Sequence, residues 1–173
     1  MRPNQLSVAF VASALATAVT HAIAFQNEPT GFRGIAWDTE FSAVESQMTL
    51  VEEGRMNTKY YRRNEDNMSI GGAELSKIVY EFFDGRFSSV IVETKKGTTN
   101  RQAIQGAFFA QFGSGSQPNR YMEQWFWHGS TSTVFLRCNR VRDECDAMMR
   151  SEAVHRRSKE ADQKRAKDAK KDF

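Results

Sequence analysis

The sequence predicts an α+β fold in which antiparallel hairpins form one sheet and two short amphipathic helices cover one of its faces, followed by a polar C-terminal helix. Three observations support this class. A long hairpin is centred on Asp84-Gly85, segments with helical apolar spacing alternate with groups of strands, and the chain becomes highly charged after Ser151. The expected order of elements is β-α-β-β-β-β-α-β-β-β-α.

The clearest local signal is the hairpin over residues 76–95. Asp-Gly is a preferred dipeptide of the type I′ turn, and a two-residue turn fixes the register of the strands on either side of it. The side chains that then share the expected core face are Ile78, Tyr80, Phe82, Phe87 and Ile91. The opposite face is half apolar, so we expect the C-terminal helix or a partner to cover part of it.

Two amphipathic helices are expected before the tail. In the first, Phe41, Val44 and Met48 recur at spacings of three and four. The second begins near residues 98–100 and ends at Gly113, because glycine is a common residue at a helix C-terminus. The other predicted strands cover residues 31–37, 48–53, 59–63, 121–127 and 131–138.

Residues 1–24 have the layout of a cleavable signal peptide. Arg2 gives a positive start, the stretch from Leu6 to Val19 is uncharged, and Ala22-Ile23-Ala24 is a small-x-small cleavage site. The alternative is a retained membrane anchor, but the stretch is shorter and less apolar than a spanning helix needs. We therefore expect an exported protein that begins near Phe25.

The expected mature chain has one α+β domain over residues 25–150 and a charged helix over residues 151–173. The tail holds eight Lys or Arg and five acidic residues, while the rest of the mature chain is nearly neutral. This distribution is not typical of nucleic-acid binding, so no nucleic-acid partner is expected. The basic tail is a candidate for weak contact with an anionic surface.

The two cysteines, Cys138 and Cys145, are expected to form a disulfide, because paired cysteines of exported proteins usually do. If Val141-Arg142 is a two-residue turn, the cysteines lie directly opposite each other in a hairpin. A non-hydrogen-bonded pair in such a hairpin brings the Cβ atoms close enough to bridge. The bridge would leave no thiol nucleophile.

The sequence contains no recognisable catalytic constellation. His128 lies near a predicted turn and His155 lies on the charged helix, so they do not form a metal site with other ligands. No phosphate loop, dinucleotide motif or serine nucleophile elbow is present. We predict no catalytic residue, no metal and no cofactor, and an enzyme is a less favoured interpretation than a binding protein.

An aromatic run, Trp125-Phe126-Trp127, is the feature most typical of ligand binding. Neighbouring residues of a strand point to opposite faces, so one face of this strand belongs to the core. The other face is then available to bind a sugar, a peptide or a protein. We name Trp125, Phe126, Trp127 and His128 as candidate ligand-binding residues. The alternative is that both faces are packed within the domain.

The segment Phe32-Arg33-Gly34-Ile35-Ala36-Trp37-Asp38-Thr39 resembles the start of a family of small exported proteins of Gram-negative bacteria. Those proteins carry a Phe-x-Gly-Ile-x-Trp-Gly-Thr motif, and Asp38 stands where the motif has Gly. The spacings Tyr80-x-Phe82 and Gly85-x-Phe87 are also similar. The family is functionally uncharacterised, so the resemblance implies a periplasmic location and assigns no catalytic residue.

The sequence is compatible with three functions. The first is a non-enzymatic domain of the cell envelope that binds an unknown protein or small ligand through its sheet face and aromatic strand. The second is a small hydrolase or other envelope enzyme, which would require His128 to lie in a pocket with acidic groups. The third is a structural subunit that assembles through its C-terminal helix.

Overall fold

The computed structural model describes residues 25–172, and the structural statements below refer to that part of the chain. The predicted signal peptide, residues 1–24, lies outside the described residues. The helices are α1 (Thr98–Phe112) and α2 (Glu152–Ala169), with 3-10 turns at Phe41–Ala43, Glu45–Gln47 and Lys170–Asp172. The strands are β1 (Gly31–Phe32), β2 (Ile35–Ala36), β3 (Met48–Glu53), β4 (Thr58–Arg63), β5 (Ser69–Ile70), β6 (Ala73–Phe83), β7 (Arg86–Thr94), β8 (Gln124–His128), β9 (Ser132–Asn139) and β10 (Glu144–Ser151).

Seven strands follow one another across the main sheet in the order β3-β4-β6-β7-β10-β9-β8. Every pair is antiparallel, and β5 adds to the start of β6. The predicted α+β class, the antiparallel pairing and the C-terminal helix are therefore confirmed. None of the helices in residues 25–172 is long and apolar enough to cross a membrane.

One face of this sheet, which we call the closed face, carries the hydrophobic core. Ile104, Phe108 and Phe112 recur every fourth residue of α1, so they form one stripe that packs against the sheet. The sheet residues of the same core include Ile78, Tyr80, Phe82, Phe87, Val90, Val92, Val134, Leu136, Ala147 and Met149. The N-terminal segment covers the rest of this face through Trp37, which lies 4.9 Å from Phe87 between ring centroids.

The first predicted helix is replaced by two successive 3-10 turns. Phe41 still packs on the closed face, stacked on Tyr61 with ring centroids 4.3 Å apart, and Val44 is buried. The predicted first strand is a tight hairpin of β1 and β2, because Arg33 and Gly34 both adopt positive φ, at 48° and 81°. The apolar spacing indicated burial correctly and the helix type wrongly.

The long hairpin has the expected turn, with Asp84 at φ 52° and Gly85 at φ 72°. Phe82 pairs with Phe87 as predicted, but a bulge follows at Ser88. Beyond the bulge, Tyr80 therefore pairs with Val90 and Ile78 with Val92, instead of with Ser89 and Ile91. The prediction that Ile91 shares the core face is wrong, and Val90 and Val92 occupy the closed face in its place.

The predicted pairing of the two cysteines is confirmed, but the loop between β9 and β10 covers residues 140–143 instead of a two-residue turn. Cys138 pairs with Cys145 in the register of β9 and β10, and the two sulfur atoms are bonded. The side chain of Asn139 accepts hydrogen bonds from the backbone N–H groups of Val141 and Arg142, both at 2.9 Å, which holds the turn. Cys145 and Cys138 are buried on the closed face.

Candidate binding surface on the open sheet face

The face of the sheet opposite α1, which we call the open face, is organised in rows that run across five strands. Residues directly opposite each other in paired strands point to the same side, so the register defines the rows. The central row is apolar and consists of Val79, Ile91, Met148, Phe135 and Phe126. Four of these five side chains are only half-buried, whereas Val79 is buried.

Polar rows flank the apolar row on both sides. One contains Lys77, Glu93, Asp146, Arg137 and Gln124, and the other contains Glu81, Ser89, Arg150, Thr133 and His128. In the first of these rows, Lys77 pairs with Glu93 at 3.0 Å and Arg137 pairs with Asp146 at 2.9 Å. The open face therefore has an apolar strip between charged borders.

Helix α2 lies over the polar row at one end of the open face. Its N-cap is Ser151, whose side chain accepts a hydrogen bond from the backbone of Val154. Val154 is the only residue of α2 that is buried, and a cavity of about 220 Å³ separates this part of the helix from the sheet. Because the sequence of α2 is so polar, the helix lies over one end of the face, and four of the five side chains of the apolar row stay only half-buried.

Two ionisable groups at the start of α2 respond to this partial burial. Desolvation lowers the pKa of His155, and the neighbouring cations Arg150 and Lys159 lower it further. For Glu152, desolvation opposes ionisation, but hydrogen bonds from Thr133 and Arg150 outweigh it and lower the pKa. Both shifts follow from the contact between α2 and the sheet.

At the other end of the open face lies a groove of about 880 Å³ that we call the hairpin groove. Its walls are the loop before β8, the ends of β8 to β10 and the turn of the cysteine hairpin. The groove contains four arginines and three acids, which are Arg120, Arg137, Arg140, Arg142, Glu123, Glu144 and Asp146. Its other lining residues include Tyr121, Met122 and Trp125.

Three of the seven large apolar side chains that are exposed in the described chain lie in or beside this groove. Tyr121 is 82% exposed and Met122 is also exposed, and both line the groove. Val141 is 96% exposed at the tip of the hairpin turn beside Arg140 and Arg142. Single exposed apolar residues are ordinary on a protein surface, but a cluster that borders a concavity is typical of an interaction site.

The backbone beneath the groove is held by buried charge pairs. Arg101 of α1 contacts both Glu123 and Asp143, at 3.3 and 3.2 Å, and the Arg101 and Glu123 side chains are largely buried. Glu123 also accepts from Arg140 at 2.5 Å. These contacts join α1, the segment before β8 and the hairpin turn, so the groove has a fixed base.

The structure separates the four candidate residues of the aromatic strand. Trp127 is buried on the closed face against Phe108 and Phe112, and its indole donates to the carbonyl of Gly113. Trp125 lies on the same side, is half-buried against Phe109, and lines the hairpin groove. Phe126 belongs to the apolar row of the open face.

His128 lies at the exposed end of β8. Its ring stacks parallel to Phe126, and its Nδ1 atom is 3.4 Å from the hydroxyl of Thr133. Within residues 25–172 no carboxylate forms a hydrogen bond or ion pair with His128. The same residues contain no group of three His, Cys, Asp or Glu side chains placed to hold a metal ion.

The loop over residues 113–118 forms part of the sheet edge. Ser116 exchanges two backbone hydrogen bonds with Phe126, at 2.8 and 2.9 Å. A Cβ atom at Gly115 would lie 2.8 and 2.9 Å from two ring atoms of Trp127 and 3.0 Å from the Cβ atom of Trp125, so glycine is required for this close approach. The loop thereby shields the outer edge of β8.

The N-terminal segment forms an anchor that no local pattern in the sequence indicates. The carboxylate of Glu28 accepts from the backbone N–H groups of Thr131 and Ser132, at 2.6 and 2.7 Å, across the β8–β9 turn. Burial opposes ionisation of Glu28, but the hydrogen bonds from Thr131, Ser132 and Ser130 outweigh it and lower the pKa. The turn that carries His128 is therefore tied to the start of the described chain.

A second unpredicted feature is a buried polar cluster beneath β1. Arg33 pairs with Asp66, and the hydroxyl of Tyr80 donates to the other oxygen of Asp66 at 2.7 Å. Tyr80 is fully buried, and desolvation together with the Asp66 carboxylate raises its pKa. The cluster satisfies the polar groups of core residues, and it lies on the closed face away from the groove.

Sequence reasoning also missed the groove arginines. The available signal was their number, since Arg120, Arg137, Arg140 and Arg142 fall within a short stretch around a hairpin. No family model matches the chain, and comparison with curated proteins and with solved structures found no match either.

Proposed function

We propose that this protein is an exported, non-enzymatic interaction domain of the cell envelope and that it binds its partner through the open face of the sheet. The observation that carries the proposal is the apolar row of Val79, Ile91, Met148, Phe135 and Phe126, in which every side chain except Val79 stays only half-buried. With strands about 4.8 Å apart, this row is roughly 20 Å long, which suits one extended segment or one helix of a partner.

Two further features support the proposal. The row is continuous with the hairpin groove, because Arg137 and Asp146 belong to the neighbouring row and also line the groove. Aromatic residues, methionine and arginine are enriched at the centres of protein interfaces, and this surface presents all three types. The Cys138–Cys145 disulfide fits an oxidising compartment such as the periplasm.

The proposal is tested by placing a photo-crosslinking amino acid at Phe135 of the open face in the full-length protein expressed in a Gram-negative host. The matched control carries the same amino acid at Val51, an exposed residue of the edge strand β3. We expect a discrete crosslinked product with one envelope protein from position 135 and none from position 51.

Competition establishes whether that product reports specific binding. Excess purified wild-type protein should suppress it, whereas a folded Met148→Lys variant should not, because a charge in the apolar row opposes docking. Circular dichroism and thermal melting check that the variant is folded. Equal suppression by both proteins, or equal products from positions 135 and 51, would contradict the proposal.

A further inference from the structure

Three arginines of the hairpin groove are held in the same way. Arg137 contacts Asp146, Arg140 contacts Glu123 and Arg142 contacts Glu144, and in each case the contacting nitrogen is Nε. The distances from nitrogen to oxygen are 2.9, 2.5 and 3.0 Å. Within the described residues 25–172, the two terminal nitrogens of these three guanidinium groups have no hydrogen-bond partner.

This arrangement orients each guanidinium group and leaves its outer edge free. The terminal nitrogens of arginine form a planar fork that matches the two oxygens of a carboxylate. A fork already held in place loses less conformational freedom on binding than a free side chain does. The groove thus presents three guanidinium groups that each have one acidic contact and a free pair of terminal nitrogens.

A fourth arginine adds an aromatic component. Arg120 lies over the ring of Tyr121, with 4.9 Å between its guanidinium carbon and the ring centroid, and one terminal nitrogen donates to the Tyr121 hydroxyl at 2.8 Å. It has no acidic partner among the described residues. Met122 and Trp125 line the same groove and provide apolar surface between the charged groups.

We infer that the hairpin groove binds an extended acidic segment of a partner protein, with Asp or Glu carboxylates on the forks of Arg137, Arg140 and Arg142. The inference rests on the proposed function and specifies its ligand. Four guanidinium groups face three carboxylates in the groove, so its charge excess is small. Separate single carboxylates fit that balance better than densely charged phosphates do, and Tyr121 and Met122 suit apolar side chains between them.

The inference is tested with a random 12-residue peptide library displayed on phage and selected against the wild-type protein. We expect enrichment of Asp and Glu among the selected peptides. Affinities of the best peptides should be at least about tenfold weaker for the variant Arg137→Gln, Arg140→Gln, Arg142→Gln, because hydrogen bonds between charged groups are lost. A variant with lysine at these positions should also bind more weakly than wild type, because lysine keeps the charge but not the fork.

The control removes the same charge elsewhere, through Arg55→Gln, Arg62→Gln and Arg156→Gln at three exposed positions outside the groove, and it should bind the peptides as wild type does. Selection of neutral or basic peptides, failure to select any, or wild-type affinity of the lysine variant would overturn the inference. Equal competition by phosphatidylglycerol vesicles or by inorganic phosphate would also overturn it in favour of an anionic headgroup or ion. If the selected peptides are neutral but lose binding with Met148→Lys, the inference fails while the proposed function stands.

Discussion

The two faces of the sheet are built from the same strands and differ in what covers them. The closed face meets a helix with an apolar stripe, and fully buried residues such as Tyr80, Phe82 and Phe108 form its core. The open face meets a helix that buries a single residue, Val154. The comparison shows that the polarity of the covering helix, more than the composition of the strands, decides which face remains available.

The two faces also differ in how much they contribute to the free energy of folding. Apolar burial supplies most of the folding free energy, so the closed face should account for most of the stability. The half-buried side chains of the open face are already partly in contact with water, so unfolding exposes less additional apolar surface there. They can therefore be substituted with less loss of stability, which is a property expected of a binding surface.

The largest expected effect comes from the closed face. Phe108→Ala should lower the free energy of unfolding by about 3–5 kcal/mol, because it opens a cavity between α1 and Trp127. Phe135→Ala on the open face should cost about 1 kcal/mol. Urea unfolding of both variants measures the difference, and equal losses would mean that the open face is as closely packed as the other.

An intermediate effect is expected at the end of the sheet where the two faces meet the hairpin groove. Replacing both Cys138 and Cys145 by alanine should lower the free energy of unfolding by about 2 kcal/mol, because the bridge closes only a short loop. Hydrogen exchange should accelerate in the hairpin turn and stay unchanged in α2. If hydrogen exchange accelerated equally in the hairpin turn and in α2, the base of the hairpin groove would not be held by local contacts.

The smallest effect concerns pH and the docking of α2. The pKa of His155 is lowered in the folded state, so the unfolded chain takes up the proton first as pH falls below about 6.5. The contribution of His155 to stability is therefore present at neutral pH and is lost as pH falls towards the folded pKa. Arg150 and Lys159 enhance this loss, while Glu152 and Glu81 oppose it.

Hydrogen exchange of α2 at pH 7.5 and pH 5.5 measures this effect. Exchange should be relatively faster at the lower pH once the intrinsic rates are corrected, and α1 should not change. The variant His155→Gln should remove the difference. An equal response of α1 and α2 would show that the effect reflects global stability and not the docking of one helix.

Turn residues and hydrophobic periodicity were sufficient to predict several elements from the sequence. Asp84-Gly85 defined the long hairpin, Gly113 ended α1, and the position of Val141-Arg142 placed the cysteines opposite each other. Each of these depends on residues adjacent in the chain. For the same reason, alternation along the aromatic strand correctly separated Phe126 from its two tryptophan neighbours.

Other features could not be predicted because alternatives satisfy the same local pattern. Val90, Ile91 and Val92 are all aliphatic, so either register places an aliphatic residue in the core and nothing marks the bulge at Ser88. The 3-10 turns at 41–47 bury the apolar residues that an α-helix would also bury. For the candidate site, the shared Nε contacts of the groove arginines depend on strand pairing and loop placement, which composition does not reveal.

The pairing of β7 with β10 has a consequence for how the chain folds. Met148 pairs with Ile91, across α1 and two intervening strands, whereas the other pairs of the main sheet join strands close in sequence. The segments before and after α1 can each assemble from short-range contacts, and joining them requires closure of a long loop. We therefore expect the joining of β7 and β10 to limit the folding rate. Until it occurs, two incomplete sheets with unpaired inner edges would be vulnerable to aggregation.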